Sequence, residues 1–250
     1  MTIPLFKSHY SIGKSILTLA SPEKSNADDE GSDSIFDLAI ESGLKDIFLI
    51  EDSLVGFLQA QKTCEKLNLN LRFGLRLNLV DSFGSEDQNC IHKIIIFARN
   101  AEGCKILNKI YSFAFTQGEG KIDNKKLAEY WCDDSLKLVV PFYDSFIFEN
   151  LFKFSSCIPD FSFTDPFYFV EDNGLPFDSV LQDKVKVYCK TPIKTKSIYY
   201  KSKKDFEAFQ TYKCLCARQF YKKATLENPN LDHCGSPEFS FESWRQINER

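Results

Sequence analysis

The chain has 250 residues, of which 43% are hydrophobic and 26% charged, so it is neither disordered, collagenous nor coiled coil and can bury a sizeable core. Thirty-one basic against 35 acidic side chains give a net charge of −4 and a pI near 5.5, which leaves no global positive field to draw in nucleic acid. Nine scattered cysteines read as reduced thiols of a cytoplasmic protein rather than a secreted disulfide framework. Lys7, His9 and Lys14 interrupt the N-terminus before a signal peptide could form, and the longest apolar runs, such as Ile94 to Ala98, are too short for a bilayer.

In chain order, short apolar runs alternate with stretches of helical period, the pattern of βα units around a largely parallel sheet. Ile3 to Phe6 reads as the first strand, followed by a turn at Ser11 to Lys14. Residues 21–33, polar and acidic, read as a solvated surface loop. Ser34 opens a helix with Asp37 in a weak capping box, Ile35, Phe36, Leu38, Ala39 and Ile40 on its apolar face, and Gly43 at its C-cap. Ile47 to Ile50 is a buried-type strand ending in Glu51 and Asp52, after which Ser53 caps a helix with Leu54, Phe57, Leu58 and Cys64 on one stripe. Leu71 to Leu77 and Lys93 to Ala98 are strands, and Ala101 to Phe115 is a helix with Ile106, Leu107, Ile110 and Phe113 inward. Leu136 to Val140, Phe167 to Val170 and Val185 to Tyr188 read as further strands, Lys204 to Phe220 as the last long helix, and the C-terminal tail, residues 240–250, as a short terminal helix. Nothing in the pattern divides residues 1–250 into more than one domain.

Several segments resemble the polymerase and histidinol phosphatase (PHP) domain of bacterial DNA polymerase III α subunits. The clearest runs from Lys93 to Gly118 and is similar to that family's strand, A-x-N-x-x-G turn and helix, with Asn100, Gly103, Leu107 and Ser112 in place and Cys104 where Tyr is usual. Ser8 to Ser11 resembles the segment after the first metal motif, Ile50 to Gly56 the second metal loop, Phe73 to Leu77 the I-G-V-E-L strand, and Ser197 to Leu215 the last motif. Each match is weak alone, but they follow the family's order from about residue 3 to the end. The resemblance implies a distorted (βα)7 barrel of PHP type, an α/β fold with its site at the C-terminal ends of the strands.

The family holds divalent or trivalent metals with His, Asp, Glu and Cys ligands. This chain has three histidines, His9, His92 and His233. The matched ligand positions carry Leu5, Lys7, Asp52, Arg76, Phe142, Ser197 and Tyr199. Two cations stand where ligands are implied, and the expectation is that Lys7 and Arg76 pair with Glu51 and Asp52 in place of the metals. His9 reads as a turn residue, His92 as structural, and Glu51 and Asp52 could equally cap the next helix. Cys214 and Cys216 with His233 and Cys234 form only a nominal zinc pattern, since i and i+2 face different ways on a helix. SIGKS (residues 11–15) lacks the first P-loop glycine. The basic run 190–204 carries tyrosines and could meet a phosphate backbone or acidic partner, although a solvated loop at the barrel mouth explains it more simply.

The expected function is a metal-free, non-catalytic PHP-like module of DNA replication whose partner is a DNA polymerase or proofreading exonuclease, with direct nucleic-acid binding weak at best. The alternative is a Mn²⁺- or Mg²⁺-dependent phosphoesterase or nuclease with a site rebuilt from Glu51, Asp52, His9, Glu171 and Asp172, joined by Tyr199. A small-molecule sensor in the vacated cleft is a third reading.

Overall fold

The computed structural model describes residues 2–22, 32–83, 90–217 and 235–249. Eight strands are present among them: β1 (Ile3–Phe6), β2 (Asp46–Glu51), β3 (Asn70–Val80), β4 (Ile91–Ala98), β5 (Lys121–Asp123), β6 (Leu136–Val140), β7 (Phe167–Val170) and β8 (Ile193–Ile198). Seven close a barrel in the order β1, β2, β3, β4, β6, β7, β8 and back to β1, while β5 continues the sheet beside the far end of β3. The helices are α1 (Ile35–Glu41), α2 (Phe57–Lys66), α3 (Ala101–Thr116), α4 (Asn124–Tyr130), α5 (Phe146–Phe152), α6 (Asp178–Tyr188), α7 (Phe206–Ala217) and α8 (Phe241–Asn248). Among the described residues no helix is long and apolar enough to cross a membrane.

The barrel is α/β but of mixed strand direction, because β4 runs antiparallel to both β3 and β6. The expected unbroken series of βα units fails at this point. Parallel neighbours need a crossover connection, usually a helix, whereas β3 returns into β4 across about ten residues as a hairpin would.

Strand alternation sorts the side chains into two sets. Leu5, Ile50, Ile95, Val139 and Phe169 fill the barrel, and the opposite faces of the strands join a larger core with α1, α2, α3 and α8. Gly74 sits inside the barrel, where an added Cβ would lie 2.7 Å from Ile50 and 2.9 Å from Ile95 and Phe97. A third cluster is rich in aromatics, including Phe142, Tyr143, Phe146, Phe148, Tyr199 and Phe239, and absorbs much of the chain's phenylalanine excess.

Local signals were followed closely in places. Ser34 caps α1 by accepting from the Phe36 N–H, and Gly43 adopts φ +65° just beyond its end. Asn100 caps α3 by accepting from the Gly103 N–H at 2.8 Å, and a Cβ on Gly103 would stand 2.1 Å from the Ser135 carbonyl oxygen. The A-x-N-x-x-G turn is therefore a cap followed by a contact too tight for any side chain.

Elsewhere tertiary packing overrode the pattern. Val185 to Tyr188 is the last turn of α6 rather than a strand, and the eighth strand lies in the basic run 190–204 that read as a loop. The alternation of VKVY mimics a strand, but Leu181 and Val185, four apart, are the residues this segment buries. Ser53 does not cap α2, which begins at Phe57 after Gly56. Ile40 and Leu58, expected inward, are 48% and 59% exposed. Asn124 to Tyr130 adds a short helix capped by Asp123. Residues 23–31 of the acidic loop, and His233 with Cys234 of the nominal zinc pattern, lie outside the described residues.

His92 is 2% exposed on the outer face of β4, against the Phe146 ring, with its Nε2 buried and without a hydrogen-bond partner among the described residues. Burial pushes the imidazole down to about 4, below the ordinary 6.5. The folded state thus binds fewer protons than the unfolded one. Its stabilising contribution is complete above pH ~6.5 and is lost between there and ~4, by about 3 kcal/mol. In urea titrations from pH 7 to 4, the His92→Phe protein should lose less stability than the parent; equal slopes would contradict this. Gly103→Ala should cost about 1–3 kcal/mol in the same assay, through displacement of α3 from the Ser135 carbonyl.

Candidate functional site

The C-terminal ends of the parallel strands converge on one mouth, and the parity that fills the barrel with apolar residues places polar ones in its top layer. Lys7, one residue past β1, follows Leu5 by two, Asp52, one residue past β2, follows Ile50 by two, and Arg76 and Lys93 occupy the inward faces of β3 and β4. Lys7 donates to Asp52 at 3.1 Å, and Arg76 Nη1 stands 3.9 Å from the same carboxylate oxygen. Arg76 Nη2 donates to Asp144 at 2.5 Å. Lys7 and Arg76 are 4% and 8% exposed, so two cations are held almost out of water by two acids.

The protonation states follow from that arrangement. Burial opposes ionisation of Asp52, but the Lys7 ammonium and Arg76 guanidinium overcome it and hold the carboxyl well below its usual range. Burial pulls Lys7 down, an effect that Asp52 opposes and Arg76 reinforces. Burial also disfavours the Arg76 charge, yet Asp144 and Asp52 together keep the guanidinium firmly protonated. Lys93, at the rim, is pushed down to about 8 by burial and by Arg76.

The expected pairing was half correct. Glu51 has the opposite parity to Asp52 and faces away from both cations: it accepts from the Ser8 N–H at 2.8 Å and from the Ser11 hydroxyl, which in turn accepts from the Asp52 N–H at 3.0 Å. Burial raises the Glu51 pKa against those donors. The missing acid is Asp144, which the sequence reading passed over. It sits just beyond β6 with φ +58°, a left-handed conformation that Asp tolerates better than most side chains, while its carbonyl accepts from the Lys93 N–H at 2.6 Å. Its place after a barrel strand was the available signal, and its backbone geometry was not readable.

On the opposite side of the mouth, Glu171 accepts from the Ser197 N–H at 2.9 Å, the Ser197 hydroxyl at 2.7 Å and the Asn173 amide at 2.9 Å. The Asn173 amide also reaches Tyr143 Oη at 2.9 Å, and that hydroxyl donates to Asp178 at 2.9 Å. Burial raises the pKa of Glu171 and Asp178. Asp172 points to solvent, though its carbonyl accepts from Lys196 at 2.8 Å. His9 packs against Tyr10, with the rings tilted by 33° and 4.3 Å between their centres.

Leu5, Lys7, Arg76, Phe142, Ser197 and Tyr199 all line the mouth, and Asp52 joins them through Lys7. Glu171 joins this lining and His9 does not. The space left is about 30 Å³, the volume of a water molecule or so. An ammonium and a guanidinium with an apolar Leu and Phe do not make a donor set for a divalent cation. Among the described residues no three His, Cys, Asp or Glu side chains are grouped to hold a metal ion. No protein-family model matches the chain, and no curated protein matches it.

Replacing Asp52 by Asn should strand the Lys7 ammonium and cost about 3–5 kcal/mol, whereas the Lys7→Met, Asp52→Leu double variant should recover most of it. Because Asp52 is depressed in the folded state, its contribution is present above pH ~4 and lost as pH falls below that, a decline that the double variant should lack. Chemical denaturation at pH 7 and pH 3 reads both effects; a single variant as stable as the parent would refute the pairing.

Proposed function

We propose that this chain is a catalytically silent, PHP-like barrel that acts as a protein-binding module in DNA replication, docking a polymerase or its proofreading exonuclease in the cytoplasm. The observation that carries the first half is the ion cluster: Lys7 and Arg76 project into the mouth of the barrel, neutralise Asp52 and Asp144, and leave space of about 30 Å³ where a phosphoester would have to sit. A small-molecule pocket is typically about 300–1,000 Å³. The positive charge that a metal cluster would supply to the carboxylates comes from the protein itself.

The second half rests on the resemblance of the motifs between residue 3 and the C-terminus, since the family's domain packs on the polymerase body and in some branches holds an exonuclease. The closed α/β barrel and the Asn100–Gly103 turn are compatible with it. The phosphoesterase alternative draws no support from the geometry: Glu51 is taken by Ser8 and Ser11, Glu171 by Ser197 and Asn173, and Asp52 by Lys7.

The test combines activity with binding. Protein purified without chelators should carry no stoichiometric metal by mass spectrometry, show no phosphodiesterase turnover with added Mn²⁺, and bind the replicative polymerase or exonuclease of its own source in a pull-down. Two or more metal equivalents with turnover abolished in Asp52→Ala would overturn the silent-barrel reading, and failure to bind either protein would overturn the replication reading.

A further inference from the structure

A second concavity lies on the flank of the barrel and shares no lining residue with the mouth. Helix α2 packs on β3 and α3 packs on β4, but the two helices make little contact with each other. The gap is a cavity of about 520 Å³, within the range of small-molecule sites. Its floor and walls are apolar: Phe57 meets Phe73 edge to face at 5.1 Å, Phe73 and Leu107 are nearly buried, and Leu54 and Leu71 complete the lining.

The rim is polar, and its groups differ in how far they are already engaged. The Gln61 amide donates to Glu65 at 2.8 Å, and Asn100 is occupied by its cap on Gly103 and by the Asp134 carbonyl. Arg99 spends one N–H, from Nη1 to the Asp133 carbonyl at 3.2 Å, and has no carboxylate in reach among the described residues. The nearby Asp133 carboxylate is taken by Trp131 and Thr164, and Glu102 pairs with Lys105 at 3.0 Å. The side chain of Asn108, exposed further along α3, makes no hydrogen bond to the described residues.

We infer that the cavity between α2 and α3 binds a small amphipathic carboxylate, its hydrocarbon body on Phe57, Phe73 and Leu107 and its carboxylate on Arg99 and Asn108. A guanidinium presents five donors in a fork that matches a carboxylate, and one engaged N–H leaves the rest free. One cation matches one negative charge, so a monocarboxylic acid fits and a nucleotide or sugar bisphosphate does not. The apolar walls reward a chain or aryl group in proportion to the area they cover. This site does not depend on the reading of the mouth.

Cys104 lines the same cavity, and its thiol reports occupancy. Decanoate should protect Cys104 from N-ethylmaleimide, read by peptide mass spectrometry, without protecting the half-buried Cys132 and Cys189. Arg99→Gln should raise the decanoate concentration for half-protection about tenfold, Arg99→Lys should restore part of the affinity, and decanol should bind parent and Arg99→Gln alike. No protection of Cys104, protection of all three cysteines together, or equal decanoate affinity in the parent and Arg99→Gln proteins would overturn the assignment. Arg99 is exposed, so the substitution leaves the fold intact, and unchanged thermal unfolding of the variant verifies that.

Discussion

The mouth of this barrel depends on one exchange of charge in low dielectric. Lys7 and Arg76 are too deeply buried to be left alone, since an isolated buried ion costs several kcal/mol and shifts its protonation to escape. Asp52 and Asp144 meet that demand, and in doing so tie the ends of β1 and β2 and the middle of β3 to the turn that follows β6. A buried ion pair is not in itself a source of net stability. A slip of one residue in β1, β2 or β3 would turn a cation or Asp52 out of the barrel and leave its partner unpaired.

The other half of the mouth solves the same problem without cations. Glu171 is satisfied by a hydroxyl, a backbone N–H and an amide, and the chain of contacts continues through Asn173 and Tyr143 to Asp178. Burial raises both carboxyl pKa values and lifts Tyr143 well above its ordinary value. Such networks tolerate little change, because each member left unpaired carries the full cost of its desolvation. Together the two halves occupy the layer in which an α/β barrel usually keeps its chemistry. A larger open volume lies on the flank, between α2 and α3.

What could be read in advance was what local physics controls. Ser34 and Gly43 are caps in the structure as in the sequence, because a cap is a contact within a few residues, and the Asn100 of the turn motif proves to be one as well. The inward positions of Lys7 and Asp52 were also legible, since strand parity carries them from Leu5 and Ile50 two places earlier, whereas Arg76 follows Gly74, a position with no side chain to mark its face. Glu51 shows the limit: one residue of phase puts it outside the barrel, onto Ser8 and Ser11. Asp144 shows another, because its aim at Arg76 comes from a left-handed turn that no residue pattern announces.

The sequence by itself determined that this is an α/β chain of short buried strands, that cations stand at the ends of β1 and within β3, and where several helices begin. These follow from composition, alternation and caps, which act over a few residues. Only the tertiary structure decided that β4 runs against its neighbours, that VKVY completes α6, that β8 comes from a lysine-rich run, and that Asp144 rather than Glu51 answers Arg76. Those outcomes are set by which surfaces meet across the barrel, and the cost of an unpaired charge or an unfilled core is known only once the strands have closed.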